Sequence, residues 1–156
     1  MKKFLLGSAL VLLTTTAFAD NNFYIGGDSS KIENETAKEF TIGYGVNNVK
    51  DDRKGLYWAI NMEYGYIKLD SEHGYNVSGD LDLGLSPLDN LSVYGIISCL
   101  IQNINTEAYG FGYGAGVEYD FSKKISTSLD YKTYNMNYDL GDYDYDKFGL
   151  SLKYKF

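Results

Sequence analysis

The sequence predicts an all-β fold, an eight-stranded antiparallel up-and-down transmembrane β-barrel. First, large apolar residues alternate with small or polar ones along most of the chain, and a period of two residues is that of a β-strand. Second, the 156 residues include 17 Gly, 16 Tyr and 8 Phe but a single Pro, a composition typical of strands and tight turns. Third, the apolar set is too large for the interior of such a barrel, which places it outside.

The chain begins with the pattern of a secretory signal peptide. Lys2 and Lys3 form a basic segment, residues 4–13 are apolar, and Ala17 and Ala19 form an A-x-A cleavage site. A retained N-terminal membrane helix is the alternative, but the apolar run is shorter than the about 20 residues that a helix needs to cross a bilayer. We therefore predict a cleaved signal peptide at 1–19 and a single β-barrel domain at 20–156.

Charge and cysteine content narrow the classes of function. Loss of Lys2 and Lys3 with the signal peptide takes the formal net charge from −7 to −9, and an acidic chain whose only arginine is Arg53 has no surface for nucleic acid. Cys99 is the only cysteine, so no intrachain disulfide can form. Its thiol is either reactive or intermolecular or, in the interpretation we favour, a small apolar group in a strand.

Eight segments with period-two character follow, separated by short polar or glycine-containing breaks. We predict strands at residues 22–29, 36–46, 55–69, 74–86, 90–102, 107–121, 124–138 and 143–156. Apart from the first, each reaches the roughly 9 to 11 residues that a tilted transmembrane strand needs. The breaks alternate between the two ends of the sheet. Pro87 lies in one of them, where its missing N–H removes no ladder hydrogen bond.

Most strands divide into an apolar or aromatic face and a small or polar face. The apolar faces are Phe40, Ile42, Tyr44 and Val46 in the second strand, Leu56, Trp58, Ile60, Met62, Tyr64 and Tyr66 in the third, Tyr75, Val77, Leu81, Leu83 and Leu85 in the fourth, and Tyr109, Phe111, Tyr113, Ala115, Val117, Tyr119 and Phe121 in the sixth. The fifth strand is apolar on both faces. By analogy with its neighbours, its outer face is assigned to Leu91, Val93, Ile97, Cys99 and Ile101.

Volume decides that the apolar faces point outward. The inside of an eight-stranded barrel is only just wide enough for side chains to fill, so the numerous Tyr, Phe and Leu side chains must face lipid. The inner wall of the sixth strand is then Gly110, Gly112, Gly114 and Gly116. These glycines leave space for the inward rings of Tyr24, Tyr57, Tyr94 and Tyr134. A closed barrel suits a membrane because its backbone polar groups all find partners between strands.

Outward aromatic residues are expected at both membrane interfaces. We call the end of the barrel that holds the chain termini the turn end, and the opposite end the loop end. At the turn end the predicted interfacial residues are Phe23, Trp58, Tyr119, Phe121, Tyr154 and Phe156. At the loop end they are Tyr64, Tyr66, Tyr75, Tyr109 and Phe111.

The inward positions predict a network of charges in the lumen. Five carboxylates arrive at a similar mid-barrel level, close to Lys132 and Lys147: Asp28, Glu39, Glu63, Asp80 and Asp130. The predicted network also includes Asp82, Glu118 and Lys153. Buried charges must be paired, hydrated or neutralised, so we expect the lysines to be shared among several acids. The network is either a structural plug, which we favour, or the lining of a narrow path for cations.

The end of the chain resembles a known family. FGLSLKYKF places apolar or aromatic residues at every second position up to the terminus, as in the C-terminal assembly signal of bacterial outer-membrane barrels: Phe148, Leu150, Leu152, Tyr154 and Phe156. The strand, turn and strand of GAGVEYDFSKKISTSLDYK are similar to those of the small eight-stranded barrels of the outer membrane protein A and X type, in the porin family. The resemblance covers residues 20–156. It implies a Gram-negative outer membrane, insertion by the barrel assembly machinery and both termini in the periplasm.

The expected function is structural, with a role in the integrity of the cell envelope. A narrow porin-like channel for small solutes or cations and a surface-binding adhesion protein are the alternatives. No enzyme, cofactor or metal site is expected: Ser71, Glu72 and His73 are neighbours that point in different directions, and His73 is the only histidine. The expected partners are outer-membrane lipid and lipopolysaccharide, with the protein a monomer. The family carries no single activity, and the outer loops are shorter than those of opacity-type adhesins.

Overall fold

The structure, a computed structural model, describes residues 19–32, 35–48, 55–69, 72–104, 106–138 and 141–156. Eight strands form one closed barrel in which each strand pairs antiparallel with its sequence neighbours and β1 pairs with β8. The strands are β1 (Ala19–Ile32), β2 (Glu35–Asn48), β3 (Tyr57–Leu69), β4 (Glu72–Leu88), β5 (Leu91–Asn103), β6 (Glu107–Asp120), β7 (Ile125–Tyr138) and β8 (Gly141–Lys155). The predicted fold class is confirmed.

Up-and-down connectivity places both ends of the barrel domain at the turn end. Asn22 of β1 lies opposite Lys155 of β8, and the Phe156 N–H donates to the Asn21 carbonyl at 3.0 Å. The described residues contain no helix long and apolar enough to span a membrane. Ala17 and the rest of residues 1–18 lie outside the described residues, and Ala19 is the first residue of β1, opposite Asn48. Cleavage after Ala19 stays a prediction.

Four strands are longer than predicted: β1, β2, β4 and β8. β1 spans 14 residues rather than the eight at 22–29, because polar residues such as Ser30 continue the ladder and pair with β8. Because the inner face of this barrel is polar, a polar residue does not by itself mark the end of a strand. β4 runs through Pro87 to Leu88, with an irregularity in register between Leu85 and Leu88. Pro87 therefore lies in a strand and not in a turn, at a bulge where no ladder hydrogen bond is required of it.

The outer face carries the large apolar side chains, and this is where the sequence places them. Phe40, Leu85 and Phe111 are each more than half exposed. In β5, Val93, Ile97 and other outer residues alternate strictly with buried inward ones. The fifth strand therefore has the orientation assigned by analogy. Val46 is an exception, since it is fully buried although it pairs with the outer Ile60, and nothing in the structure explains that burial.

Glycines on the inner wall make room for rings that cross the lumen. A Cβ added at Gly43 would lie 2.0 Å from the Tyr24 ring, and one added at Gly112 would lie 2.4 Å from the Tyr134 ring. At Gly116 it would meet both the Asp130 carboxylate at 2.1 Å and the Tyr94 ring at 2.4 Å. Tyr57 packs instead on Tyr94, with 4.9 Å between ring centroids. The glycines of the inner wall and the large inward rings thus pack against each other.

Outward aromatic residues pair at both ends of the barrel. At the turn end, Tyr119 contacts Phe121 edge to face at 5.2 Å, and Tyr154 stacks with Phe156 at 6.4 Å between centroids. At the loop end, the Tyr64 and Tyr75 rings stack at 6.3 Å. These pairs lie on the exposed face, where the sequence predicts the two interfacial belts.

The inner wall predicts a difference between two glycine-to-alanine substitutions. At Gly114 an added Cβ would lie 2.1 Å from the Tyr131 carbonyl oxygen, whereas at Gly79, on the outer face, nothing lies within 4 Å. Gly114→Ala should lower the free energy of unfolding by about 1–3 kcal/mol, because backbone cannot move aside cheaply. Gly79→Ala should leave it unchanged or raise it slightly. Urea unfolding of the barrel in detergent micelles, followed by Trp58 fluorescence, gives the comparison, and equal stabilities would contradict the inner-wall assignment.

Candidate functional site in the barrel lumen

The described inward side chains include three groups that follow one another along the barrel axis. The turn-end cluster consists of Glu118, Asp120, Lys153 and Lys155. The central cluster consists of Asp28, Glu39, Glu63, Asp80, Lys132 and Lys147. The apolar layer at the loop end consists of Ala37, Ile67, Leu69, Leu100, Ala108, Tyr134, Met136 and Tyr145, with Ile104 against it. All four lumen lysines come from β7 and β8, while almost all inward carboxylates come from β1–β6.

In the turn-end cluster two ammonium groups hold one buried carboxylate. Lys153 Nζ lies 3.0 Å from Glu118 Oε2, and Lys155 Nζ lies 2.7 Å from Glu118 Oε1. Lys155 also reaches Asp120 at 2.5 Å. The Tyr57 hydroxyl donates to Glu118 at 3.3 Å. The cluster ties the last strand to β6 across the lumen, because neither Glu118 nor Asp120 belongs to a neighbour of β8.

In the central cluster Lys147 is shared by three carboxylates on three strands. Its Nζ lies 3.3 Å from Asp28 Oδ2 and 3.2 Å from Glu39 Oε2, and it donates a hydrogen bond to Glu63 Oε1. Glu39 also accepts hydrogen bonds from the Tyr145 hydroxyl and, at 2.9 Å, from Asn76 Nδ2. One lysine of β8 therefore links β1, β2 and β3.

Lys132 joins the central cluster from β7. Its Nζ lies 2.5 Å from Asp80 Oδ2 and 3.7 Å from Glu63 Oε2, so Glu63 is shared between two lysines. The Ser98 hydroxyl donates to Asp80 at 2.5 Å and lies 3.0 Å from the Tyr134 hydroxyl. This chain of contacts crosses the barrel from β4 to β5 and β7 and fills the lumen with polar groups.

Asp130 and Asp82 belong to the lumen but not to these ion pairs. Asp130 accepts hydrogen bonds from the Tyr94 hydroxyl at 2.7 Å and from Ser128 at 3.1 Å. Asp82 Oδ2 accepts from Asn61 Nδ2 at 2.7 Å, while Asp82 Oδ1 and Asn61 Oδ1 have no hydrogen-bond partner. Asp82, Asn61, Asp130 and Ser128 help to line a cavity of about 20 Å³, room for about one water molecule. Hydroxyl and amide donors thus replace ammonium groups around the acids that the lysines do not reach.

Tyr134 was predicted to point inward, but the apolar layer as a whole was not predicted. Ile67 and Leu69 of β3 point inward above the central cluster, and Leu100 and Met136 of β5 and β7 do the same. The alternation of side chains along β3 indicates this layer. Near the loop end of β3, Ile67 and Leu69 occupy inward positions and Lys68 occupies an outward one. The residues of the layer lie between the central ion pairs and the loop end, beside the buried amide of Gln102.

Close packing of the described lumen residues leaves little free space. A second cavity, of about 10 Å³, lies among Asp28, Glu63, Lys132 and Lys147. A cavity of that size is at the limit for holding one water molecule. The arrangement therefore cross-links strands through the lumen. The two cavities share Glu63, Asp130 and Lys132 in their linings, and each has room for at most about one water molecule.

The other sequence candidates lie on the outer face or outside the described residues. The His73 ring stacks on Tyr66 at 5.8 Å between centroids, in β4 rather than in a turn, and Ser71 is outside the described residues. Cys99 is exposed on the outer face of β5. Among the described residues, no group of three or more His, Cys, Asp and Glu side chains is arranged to hold a metal ion. The predicted assembly signal is exposed at every position: Phe148, Leu150, Leu152, Tyr154 and Phe156.

Comparisons with known proteins agree with this geometry. A family model described as "Outer membrane protein beta-barrel domain" matches residues 6–156. A comparison with curated protein sequences gives no match.

Several solved structures share the fold. The N-terminal β-barrel domain of Pseudomonas aeruginosa OprF is 18% identical, with a TM-score of 0.56 over 88% of this chain and 99% of that chain. Neisserial surface protein A is 12% identical, with a TM-score of 0.54 over 88% and 97%. Yersinia pestis Ail in a phospholipid nanodisc is 12% identical, with a TM-score of 0.54 over 88% and 99%. At such identities the likeness concerns the fold alone.

The central cluster predicts that one lysine dominates the stability of the lumen. Lys147→Met leaves the carboxylates of Asp28, Glu39 and Glu63 without their shared ammonium group. The free energy of unfolding should fall by about 3–5 kcal/mol, because breaking a buried ion pair leaves uncompensated charge. The control Lys124→Met, at an exposed position of the turn end, should change it by no more than about 0.5 kcal/mol. Urea unfolding in detergent micelles measures both, and similar values for the two variants would refute the assigned role of Lys147.

Proposed function

The chain belongs to the outer membrane protein β-barrel domain family, and we propose that within it this protein is a closed structural barrel that contributes to the integrity of the cell envelope. The family assignment supplies the outer-membrane setting. The proposal concerns what the barrel does there.

One observation carries the proposal: the lumen is filled. Ion pairs bridge opposite walls, inward rings pack against glycines, and the apolar layer covers the central cluster at the loop end. The two central cavities of about 10 and 20 Å³ each hold at most about one water molecule. A filled eight-stranded barrel resists deformation and displaces lipid without opening a route for solutes.

The narrow cation path is the second candidate, and the excess of inward carboxylates over lysines favours it. Two features oppose it. An ion crossing the lumen must displace Lys147 or Lys132 from its carboxylates, and it must then pass Ile67 and Met136 in the apolar layer. The first step breaks buried ion pairs, and the second gives the ion no replacement for its water shell.

Surface binding receives less support. Ail has been crystallised in complex with the heparin analogue sucrose octasulfate. In this chain the loop-end strand pairs are joined by two or three residues, from β1–β2 round to β7–β8. Such short connections offer little surface for a macromolecular ligand, and the acids Glu107, Asp142 and Asp144 at the exposed ends of β6 and β8 disfavour a polyanion there.

The remaining features follow from the closed-barrel proposal. The termini lie in the periplasm, and the barrel assembly machinery recognises the outward residues of β8. The protein acts as a monomer, because all eight strands pair within one chain. It has no catalytic activity: His73 stacks on Tyr66 on the outer face, away from the charged lumen.

A filled lumen predicts the absence of channel activity. Folded protein inserted in planar lipid bilayers should give no stepwise current above the lipid background at either sign of voltage. Folding is verified on the same sample by the change in gel mobility on boiling. Reproducible unitary steps from folded protein, with a preference for cations, would replace the structural proposal with the cation path.

An envelope role predicts a phenotype for cells that lack the protein. Deletion of the gene should increase sensitivity to detergent and to chelation of divalent cations, and should release more periplasmic protein into the medium. Expression of the wild type or of Gly79→Ala, which leaves the barrel intact, should restore the barrier. A deletion strain with an unchanged barrier would exclude the proposed role even if the barrel carries no current.

A further inference from the structure

Three basic side chains form a continuous row on the outer face near the loop end. Lys38 of β2 lies directly opposite Lys68 of β3, and Lys68 lies directly opposite His73 of β4. All three side chains are exposed and occupy outward positions of their strands. Side chains opposite each other on one face of an antiparallel pair have Cβ atoms roughly 5 Å apart. The three groups therefore lie within reach of one small ligand.

The row contains an unfavourable pair. Like charges directly opposite each other on neighbouring strands destabilise a sheet. Among the described residues, neither Lys38 nor Lys68 forms an ion pair or a side-chain hydrogen bond. By contrast, Lys31 of β1 lies opposite Asp146 of β8, so the nearby lysine has an acid beside it. Lys38 and Lys68 thus form a like-charge pair on the described outer face, and no acid lies directly opposite either of them on a neighbouring strand.

An aromatic row lies immediately below the basic row. Phe40 is opposite Tyr66, and Tyr66 is opposite Tyr75, each two residues toward the turn end from the basic residue on the same strand. Two residues correspond to about 7 Å along a strand. Aromatic side chains occupy the level of the lipid headgroups, so the basic row lies just outside the hydrocarbon region, at the depth of headgroup phosphates. The stacking of His73 on Tyr66 holds the imidazole beside Lys68.

We propose that Lys38, Lys68 and His73 bind a phosphate group of the phosphorylated glycolipid in the outer leaflet. Each lysine ammonium donates to the phosphate oxygens, and the His73 ring donates one further N–H. A bound phosphate removes the repulsion between the two lysines, and the acyl chains of the same lipid lie along Phe40 and Tyr66. This site goes beyond the closed-barrel proposal. It rests on one part of that proposal, the orientation of the barrel with its loop end at the cell surface.

The occupant is a lipid rather than a soluble anion, because the row is continuous with the apolar outer face. A free phosphate in water gains only the ionic contacts, which water and salt weaken at an exposed site. A membrane lipid is held at this depth by its chains, so the ionic contacts add to an anchor that already exists. The same reasoning assigns no such site to the exposed Lys123 and Lys124, which lie beyond the strands at the turn end.

The test compares two double variants with equal loss of charge. Lys38→Gln with Lys68→Gln removes the proposed site, and Lys123→Gln with Lys124→Gln is the matched control at the other end. Folded protein in neutral detergent micelles is titrated with lipid A carrying both phosphates, and binding is measured by calorimetry. The first variant should bind about tenfold more weakly than the wild type or worse, and the control should bind as the wild type does. Without lipid A, the first variant should unfold at the same urea concentration as the wild type or a higher one.

Three further arms identify the ligand. Dephosphorylated lipid A should bind the wild type as weakly as lipid A binds the Lys38→Gln, Lys68→Gln variant. Inorganic phosphate should bind far more weakly than lipid A, and phosphatidylglycerol should not reproduce the difference between the two variants. The site would be overturned if lipid A bound both double variants equally weakly, if it bound the first variant as tightly as the wild type, or if dephosphorylated lipid A bound the wild type as tightly as lipid A does. If inorganic phosphate bound as tightly as lipid A, the ligand would be a soluble anion and not a lipid.

Failure of this site and failure of the closed-barrel proposal are separable. Micelles expose both ends of the barrel, so the titration does not depend on orientation in a membrane. Loss of lipid A binding leaves the filled lumen and the absence of current unaffected. Conversely, channel activity in planar bilayers leaves the contacts of Lys38, Lys68 and His73 on the outer face unchanged.

Discussion

The need to pair every backbone polar group inside a membrane governs the rest of this structure. Lipid offers no hydrogen bonds, so the sheet must close on itself, and β1 pairs with β8 to remove the last free edge. Closure with eight strands fixes a narrow interior. The narrow interior in turn requires the residues facing Tyr94 and Tyr134 to be glycines, and it forces the large apolar residues to the outer face. The sequence alternation, the glycine-rich β6 and the filled lumen are consequences of one condition.

The lumen also buries many polar groups in little space. Ammonium groups are few, so each is used more than once: Lys147 contacts three carboxylates, and Lys132 and Lys155 contact two each. Acids beyond their reach receive hydroxyl or amide donors, as Asp130 does from Tyr94. Buried ion pairs are costly to form and costlier to break, so the network favours a single arrangement of the barrel over its alternatives. The proposed lipid site differs in kind, because its charges stand unpaired on the outer face.

The fold could be predicted because a period of two survives in every strand, even in β5, where both faces are apolar. Strand ends were harder. Ser30 and Pro87 resemble loop residues, but in a barrel with a polar interior the first is an ordinary inward residue and the second lies at a bulge. The lumen charges could be named from their parity, yet their pairing depends on contacts across the barrel that no local spacing encodes. The apolar layer escaped prediction because Ile67 and Leu69 resemble outward residues until the register of β3 is followed to its end.

The distribution of charge among the strands also bears on the order of assembly. Every lumen lysine belongs to the β7–β8 hairpin, so the described part of the chain up to β6 presents carboxylates to its concave side and no cation to balance them. Such a partial sheet repels itself and has no electrostatic reason to curl shut early. The β7–β8 hairpin brings Lys132, Lys147, Lys153 and Lys155 together, so closing the seam supplies the ammonium groups that offset part of the negative charge of the interior. The β7–β8 hairpin, which is synthesised after β1–β6, thus supplies the cations of the lumen, and a smaller barrel closed without it is disfavoured by repulsion among its inward carboxylates.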